Sequence, residues 1–288
     1  MVIAPIYVYG MRNLVYNWGH KGVETHNNIR KLRSFYMKKL FSLFMPAAVV
    51  ALAPSAAFAA DLQANDLVGV TFWIISIAMV AATVFFLMER SRVSGKWQTS
   101  LSIMSLVTLI AAVHYFYMRE VWVDTGASPT VFRYIDWVLT VPLQMIEFYL
   151  ILAAVTAVSA GVFWRLLVGT LVMLVAGYAG EAGIISPVLG FIVGMAGWFY
   201  ILYEIFMGEA ATVSASVSEA AQSAFSACRM VVLVGWAIYP AGYLFGYLMG
   251  GVDPASLNLI YNLADFVNKI AFGVFIWSAA VQDSAQTA

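Results

Sequence analysis

Residues 257–277 read LNLIYNLADFVNKIAFGVFIW, an apolar segment long enough to cross a membrane, and a single lysine, Lys269, interrupts it. No other lysine occurs in residues 97–288. An ammonium at bilayer depth costs roughly 3 kcal/mol on insertion scales, so a lone intramembrane lysine indicates a function. Because burial favours the neutral amine, which condenses with carbonyls, we expect Lys269 to carry a covalently bound cofactor.

The composition of the whole chain is that of a membrane protein. Hydrophobic residues make up 62% and charged residues 10%, and the mean hydropathy is +0.85, which excludes an ordinary water-soluble fold. The connections between the apolar runs are short, and the runs are too long for barrel strands. We therefore predict an all-α transmembrane bundle of seven helices, at about 66–88, 98–118, 130–155, 162–179, 184–207, 226–249 and 257–281.

Several classes of function lack support in the sequence. The single cysteine, Cys228, permits neither a disulfide framework nor a cysteine-based metal site, and no known metal or nucleotide motif is present. Basic residues are scarce after position 39, which argues against nucleic-acid binding. We expect membrane lipid as the surroundings, and neither a metal nor a nucleic-acid partner.

The N-terminal region carries a targeting pattern. A basic tripeptide, an apolar stretch and a small-x-small cleavage site follow one another over residues 37–59, which predicts a secretory signal peptide. Residues 1–36 are then an upstream extension or leader, and residues 60–288 form the membrane domain. The alternative is an eighth membrane helix, which Pro46 and Pro54 disfavour.

The charges of the connections predict an orientation in a bacterial-type inner membrane. Cleavage of the signal peptide places the new N-terminus outside, and seven spans then place the C-terminus in the cytoplasm. Excess positive charge is typical of cytoplasmic connections. In this orientation, five basic residues lie on the cytoplasmic side and two on the outer side. The cytoplasmic residues are Arg90, Arg92, Lys96, Arg165 and Arg229, and the outer ones are Arg119 and Arg133.

The third predicted helix carries a line of polar side chains. Asp136, Thr140, Gln144 and Glu147 are spaced by four, four and three residues, so they share one helix face. At 1.5 Å per residue, the two carboxyls lie about 16 Å apart along the axis. They therefore belong to opposite halves of the membrane.

The surroundings of the two carboxyls predict different roles. Arg133 lies one turn from Asp136, and the amine of Lys269 is expected opposite it, so both favour an ionised Asp136. Glu147 has only apolar sequence neighbours, and burial favours its protonated form. Asp136 is therefore interpreted as a proton acceptor and Glu147 as a proton donor.

The seventh helix supplies a second carboxyl. Asp265 lies one turn from Lys269 and on the same face, so Asp136 and Asp265 together are predicted counterions of the amine. The alternative is that these charges are packing devices. His114, near the outer end of the second helix, is either an ordinary core histidine or a hydrogen-bonding partner of Asp136. Glu181 is expected to be a solvated charge in an outer connection.

Aromatic residues on three predicted helices suggest the walls of a flat, rigid, apolar ligand site. Each aromatic residue alone is weak evidence in a membrane helix, but two prolines that break helix hydrogen bonds accompany them. The residues are Trp137, Trp198, Trp236 and Tyr239, with Pro142 and Pro240.

Three stretches resemble the proteorhodopsin family of microbial rhodopsins, and the similarity extends over about 66–282. They are RYIDW with TVP over residues 133–142, GWAIYP over 235–240 and LIYNLADFVNK over 259–269. The resemblance implies a seven-helix retinal protein, not an enzyme, with all-trans retinal bound to Lys269 as a protonated Schiff base.

The resemblance also implies roles for individual residues. Asp136 corresponds to the proton acceptor, Glu147 to the donor, and Asp265 to a second counterion. Tyr115 and Tyr239 correspond to the hydrogen-bonding partners of that counterion. The implied walls of the retinal site are Trp137, Trp198 and Trp236. Thr140 and Pro240 belong to the TVP and GWAIYP stretches that resemble the family. Gln144 occupies the colour-tuning position of blue-absorbing members. His114 corresponds to a histidine bonded to the acceptor, and Trp73 to a residue that meets it from a neighbouring protomer, which implies a ring such as a pentamer or hexamer.

The function predicted from these residues is a light-driven outward proton pump. The nearest alternative is a sensory rhodopsin or slow-photocycle photoreceptor, which an acidic Glu147 disfavours. Asp136 disfavours a chloride pump, and acids at both positions disfavour a sodium pump of this family. A seven-helix transporter without retinal would show no visible absorbance.

Overall fold

The structure, a computed structural model, describes residues 62–286. The predicted extension 1–36 and signal peptide 37–59 lie outside the described residues and stay predictions. Within the described part of the chain, seven helices are long and apolar enough to cross a membrane. The predicted all-α seven-helix architecture is confirmed.

The seven spans follow one another antiparallel along the chain, and three of them contain more than one helical segment. They are α1 (Leu67–Glu89, continued by a 3-10 turn at Arg90–Arg92), α2 (Trp97–Thr125), α3 (Thr130–Ala153), α4 (Ala160–Glu181), α5 (Pro187–Phe206, then a short helix Glu209–Ser214), α6 (Glu219–Met230, Val231–Gly235, Ile238–Tyr243 and Leu244–Leu248) and α7 (Pro254–Gln286).

Two helix ends lie well outside the predicted apolar runs. α2 continues to Thr125 instead of ending near 118, and Gly126 ends it with a left-handed φ of 64°. α6 begins at Glu219 instead of 226, where the Ser218 side chain accepts a hydrogen bond from the Ala221 amide. Capping of the backbone sets these ends, whereas a hydropathy pattern stops at the first polar or charged residues.

Polar side chains face inward and apolar side chains face outward in this bundle. In α7, Leu263 is 63% exposed while Asp265 is 1% exposed, although they are only two residues apart. This arrangement is the reverse of a water-soluble helix and suits a hydrocarbon surrounding. The buried charges of α3 and α7 consequently meet at the centre of the bundle.

α6 is irregular on both sides of Pro240. Proline has no N–H to donate, and π-helical segments flank the helical turn that contains it. In the first of them, the Trp236 amide donates to the Val231 carbonyl. The Val232 carbonyl instead accepts a hydrogen bond of 3.1 Å from the Trp198 indole of α5. The irregular α6 thereby holds Trp198, one of the predicted wall residues, in place.

Glycines allow α4 and α5 to pack with their backbones in close contact. A Cβ atom on Gly197 would lie 2.7 Å from the Met173 amide nitrogen and 2.8 Å from the Gly169 carbonyl oxygen. Small residues at such interfaces permit close helix approach in membranes. This contact closes the side of the bundle that faces the candidate site.

We expect Gly197→Ala to destabilise the protein by about 1–3 kcal/mol, the usual cost of overpacking, because the added methyl meets backbone that cannot move aside. The thermal midpoint of unfolding in detergent measures this. Gly95→Ala is the matched control, since a Cβ atom there meets nothing within 4 Å. An equal midpoint for the two variants would contradict the assigned helix contact.

Candidate functional site

A buried amine between two carboxylates forms the centre of the bundle. Lys269 Nζ donates a hydrogen bond of 2.8 Å to Asp136 Oδ2 and lies 3.1 Å from Asp265 Oδ2. All three residues are at most 1% exposed. One positive and two negative charges are costly to bury unless they are paired and hydrogen-bonded, so the geometry of the trio is tightly constrained.

The two carboxylates differ in how they are held. Tyr115 donates a hydrogen bond of 2.8 Å to Asp265 Oδ2, and Tyr239 donates one of 2.7 Å to Asp265 Oδ1. The Trp137 indole adds a longer bond of 3.2 Å to the same Oδ1. Asp136 Oδ1, by contrast, has no hydrogen-bond partner among the described residues. Asp265 is thus a fixed anion, and Asp136 keeps an oxygen that can take up a proton.

Arg133 lies one turn from Asp136 but bonds α7 instead of forming an ion pair with it. Its Nη2 donates to Asn258 Oδ1 at 2.8 Å and to Asn262 Oδ1 at 3.1 Å, both on α7. No ion pair joins Arg133 to Asp136 in the described part of the chain. The two asparagines were not among the predicted site residues. Their spacing of four, three and four residues with Asp265 and Lys269 was the available signal.

His114 lies in the C-terminal half of α2 and is partly buried. Its Nδ1 is 2.8 Å from the Ile110 carbonyl oxygen, which can only accept, so Nδ1 carries a proton. No hydrogen bond joins His114 to Asp136 in the described structure. The implied role of His114 therefore stays a prediction.

Glu147 occupies the opposite half of the bundle from the charged trio. It is fully buried, and neither of its carboxyl oxygens has a hydrogen-bond partner among the described residues. The Ser100 hydroxyl of α2 acts on Glu147. The Glu147 carboxyl in turn acts on the Cys228 thiol of α6. An isolated carboxyl in such surroundings is most stable when it is protonated and neutral.

An apolar cavity of about 780 Å³, counted to its mouth, reaches Lys269. Gln144 lines it together with the predicted wall residues Trp137, Trp198, Trp236, Tyr239 and Pro240. Pro142, Thr140 and Tyr115 do not line it: Thr140 Oγ1 donates to the Asp136 carbonyl, and Tyr115 bonds Asp265. The lining residues that the sequence analysis missed are apolar, glycine or aromatic, types too common in membrane helices to stand out: Tyr134, Val141, Met173, Leu174, Gly177, Gly190, Phe191, Gly194, Met195, Tyr243 and Tyr261.

Glu181 also lines this cavity, and the prediction of a solvated loop charge is wrong. α4 continues to Glu181, beyond its predicted end at 179. The Tyr134 hydroxyl donates a hydrogen bond of 2.9 Å to Glu181 Oε1. A hydropathy pattern cannot show that a terminal side chain turns back into the bundle.

The chain matches the family of bacteriorhodopsin-like proteins over residues 66–283. It is 58% identical over 245 residues to the blue-light absorbing proteorhodopsin of Gamma-proteobacterium Hot 75m4, which covers 84% of this chain and 98% of the relative. The identity to the green-light absorbing proteorhodopsin of Gamma-proteobacterium EBAC31A08 is 55% over 244 residues, with the same two coverages.

The fold is also similar to solved structures of related proteins. The crystal structure of blue light-absorbing proteorhodopsin from Med12 has a TM-score of 0.67 and 53% identity, covering 76% of this chain and all of that one. Xanthorhodopsin, described as a light-driven ion pump with dual chromophore, has a TM-score of 0.68 at 26% identity, covering 77% and 94% of the two chains.

We expect Asn258→Leu to destabilise the protein by roughly 1–3 kcal/mol, because the buried Arg133 guanidinium then loses its shorter hydrogen bond. Asn258→Leu should reduce the stability less in an Arg133→Met background than in the wild type, because Met leaves no buried charge without a partner. A double-mutant cycle of thermal midpoints measures the difference. Additive effects of the two substitutions would mean that the Arg133–Asn258 bond contributes nothing.

Proposed function

Because the chain belongs to the bacteriorhodopsin-like family, as a relative of the proteorhodopsins, we propose that it is a light-driven outward proton pump with all-trans retinal bound covalently to Lys269. The observation that carries the proposal is the 2.8 Å hydrogen bond between Lys269 Nζ and Asp136, beside a cavity that an apolar ligand can fill. When bound, retinal supplies light absorption and a light-driven change of shape, whereas the protein supplies position and electrostatics.

The residues around Lys269 fit such a group. Trp137, Trp198 and Trp236 give the cavity flat apolar walls, and the Trp198 indole is held by α6. The amine nitrogen opens into this cavity while its charge is balanced by two carboxylates. A nitrogen that stays cationic when it carries the ligand is therefore stabilised in the dark.

Asp136 is the proposed acceptor of the proton on the Lys269 nitrogen. A separation of 2.8 Å is within reach for direct transfer, and Asp136 Oδ1 has no competing partner among the described residues. Asp265 receives hydrogen bonds from three side chains, so it remains the anion that balances the cation when the proton leaves.

Glu147 is the proposed donor that returns a proton to the same nitrogen. It lies about 16 Å from Asp136 along α3, at 1.5 Å per residue, and in the other half of the membrane. Acceptor and donor on opposite sides of Lys269 impose a direction on the proton. We propose that the Asp136 half faces outward, because the ends of the helices nearer Glu147 carry most of the basic residues of the connections.

Two further features belong to the proposal. The Gln144 amide lies in the cavity wall and donates a weak hydrogen bond of 3.4 Å to the Asn268 carbonyl, which fixes a dipole beside the ligand and suits a blue-absorbing protein. Trp73 and His114 are both only partly buried, as a contact between protomers in a ring of five or six requires.

We expect added all-trans retinal to give the wild-type protein a visible absorption band, and Lys269→Ala to show none, because the substitution removes the only amine among the described residues of the cavity wall. Absorption spectroscopy of purified protein measures this. Lys96→Ala, in the connection between α1 and α2, should keep the band. A band that survives in Lys269→Ala would reject the retinal attachment.

We expect illuminated cells to acidify their medium, and a protonophore to abolish the signal. Asp136→Asn should stop transport, whereas Glu147→Gln should slow recovery of the dark state by roughly 10²-fold or more, as expected for loss of a proton-transfer group. Glu219→Gln removes an exposed carboxyl and should change neither.

Other outcomes of this experiment have definite meanings. Normal pumping by Asp136→Asn would overturn the acceptor assignment. Alkalinisation of the medium would reverse the proposed orientation. A visible band without any light-driven pH change would favour the photoreceptor alternative.

A further inference from the structure

The cavity beside Lys269 lies inside the bundle, so a ligand that fills it needs an entrance. Residues of α3 to α7 line the cavity, and most of them are apolar. Among the lining residues of α5 and α6, Phe191, Met195 and Pro240 are partly exposed. The seams between neighbouring helices therefore decide where a ligand can pass.

The seam between α4 and α5 is closed by their backbones. Met173 of α4 lines the cavity and is partly exposed, but its amide nitrogen would lie 2.7 Å from a Cβ atom on Gly197. A Cβ atom on Gly190 would lie 2.7 Å from the Cα atom of Gly180. Helices that approach so closely leave no passage for a ligand between them.

The seam between α6 and α7 is also closed, and glycines again permit the close approach. Gly235 packs against the Asn268 side chain, and Gly242 packs against the Tyr261 ring. Ala237 lies two residues beyond Gly235, about 200° further around a helix of 3.6 residues per turn. Ala237 is therefore on the side of α6 that faces away from α7, toward α5.

The end of the cavity near Glu181 is a poor entrance for an apolar molecule. The Tyr134 hydroxyl donates a hydrogen bond of 2.9 Å to Glu181 Oε1, and the Tyr243 hydroxyl donates one of 2.9 Å to the Pro187 carbonyl. An apolar molecule that passed here would separate these bonds and leave polar groups without partners.

The seam between α5 and α6 is the most loosely bonded wall of the cavity. In the described part of the chain, two hydrogen bonds cross it, from the Trp198 indole to the Val232 carbonyl and from Tyr243 to Pro187. Pro187 and Trp198 are eleven residues apart, which is about 16 Å of helix at 1.5 Å per residue. Opposite this stretch, α6 contains Pro240 with a π-helical segment on either side, features that interrupt helical hydrogen bonds and allow bending.

We propose that the seam between α5 and α6 is a lateral entrance through which retinal passes from the bilayer to Lys269. An apolar molecule leaves water for lipid, so the bilayer is the source from which the cavity fills. Phe191 packs against Tyr243 with ring centroids 5.5 Å apart, and it is the side chain that narrows the entrance. The inference rests on the proposed function, because it takes retinal as the ligand of the cavity.

The test measures how fast the retinal-free protein in lipid vesicles forms its visible band after all-trans retinal is added to the vesicle membrane. Ala237→Cys is first labelled with a bulky maleimide, and mass spectrometry gives the extent of labelling; the native Cys228 is fully buried. The label should slow band formation by about tenfold or more, the effect of a barrier raised by roughly 1.4 kcal/mol. Unlabelled Ala237→Cys should keep the wild-type rate.

Two controls separate a blocked entrance from a damaged site. Val175→Cys carries the same label on the lipid-facing side of α4, where Val175 is 60% exposed, and should form the band at the wild-type rate. Ala237→Cys that is labelled after retinal has bound should keep its band, because the label then blocks only the entrance.

Phe191→Ala is the second variant and needs no label. Loss of the ring should widen the entrance and speed band formation by about threefold or more, since a barrier lowered by roughly 0.7 kcal/mol has this effect. If labelling of Ala237→Cys also destroys a band that has already formed, Phe191→Ala decides alone, and a rate no faster than that of the wild type would overturn the proposal.

Other outcomes are equally definite. A wild-type rate in labelled Ala237→Cys would overturn the lateral entrance, and so would equal slowing by the label on Val175→Cys. A wild-type protein that forms no visible band would instead refute retinal binding itself, which is a separate failure.

Discussion

The structure depends on balancing one buried positive charge. Lys269 lies at the centre of an apolar bundle, and only carboxylates brought from α3 and α7 make its burial tolerable. Tyr115, Trp137 and Tyr239 then serve mainly to hold Asp265 in place. The positions of four helices are consequently tied to the geometry of a single amine.

The two halves of the bundle differ in polarity, and the proposed direction of transport depends on this difference. On the side of Asp136, hydrogen bonds link Arg133 to Asn258 and Asn262 and carry polar groups toward the helix ends. On the other side, Glu147 is fully buried and its oxygens have no partner among the described residues. In the proposed pump, the proton leaves through the polar half, whereas resupply passes through one isolated acid.

Helical periodicity made much of the site predictable. Asp136, Thr140, Gln144 and Glu147 share a face because their spacing follows the α-helix, and Asp265 and Lys269 are one turn apart for the same reason. Periodicity does not say which partner a side chain takes across the bundle. Arg133 therefore bonds two asparagines of α7 instead of Asp136, and His114 bonds its own helix.

By itself, the sequence determined the number of spans, the charged faces of α3 and α7, and the single lysine within the seventh span, since these depend on local hydropathy and helix repeat. Only the tertiary structure decided which carboxylate is fully hydrogen-bonded, where the cavity opens and that Glu181 turns into it. These features arise from packing between helices distant in the chain, such as the glycine contact of Gly197 with α4, and a pattern read along one helix carries no information about its neighbours.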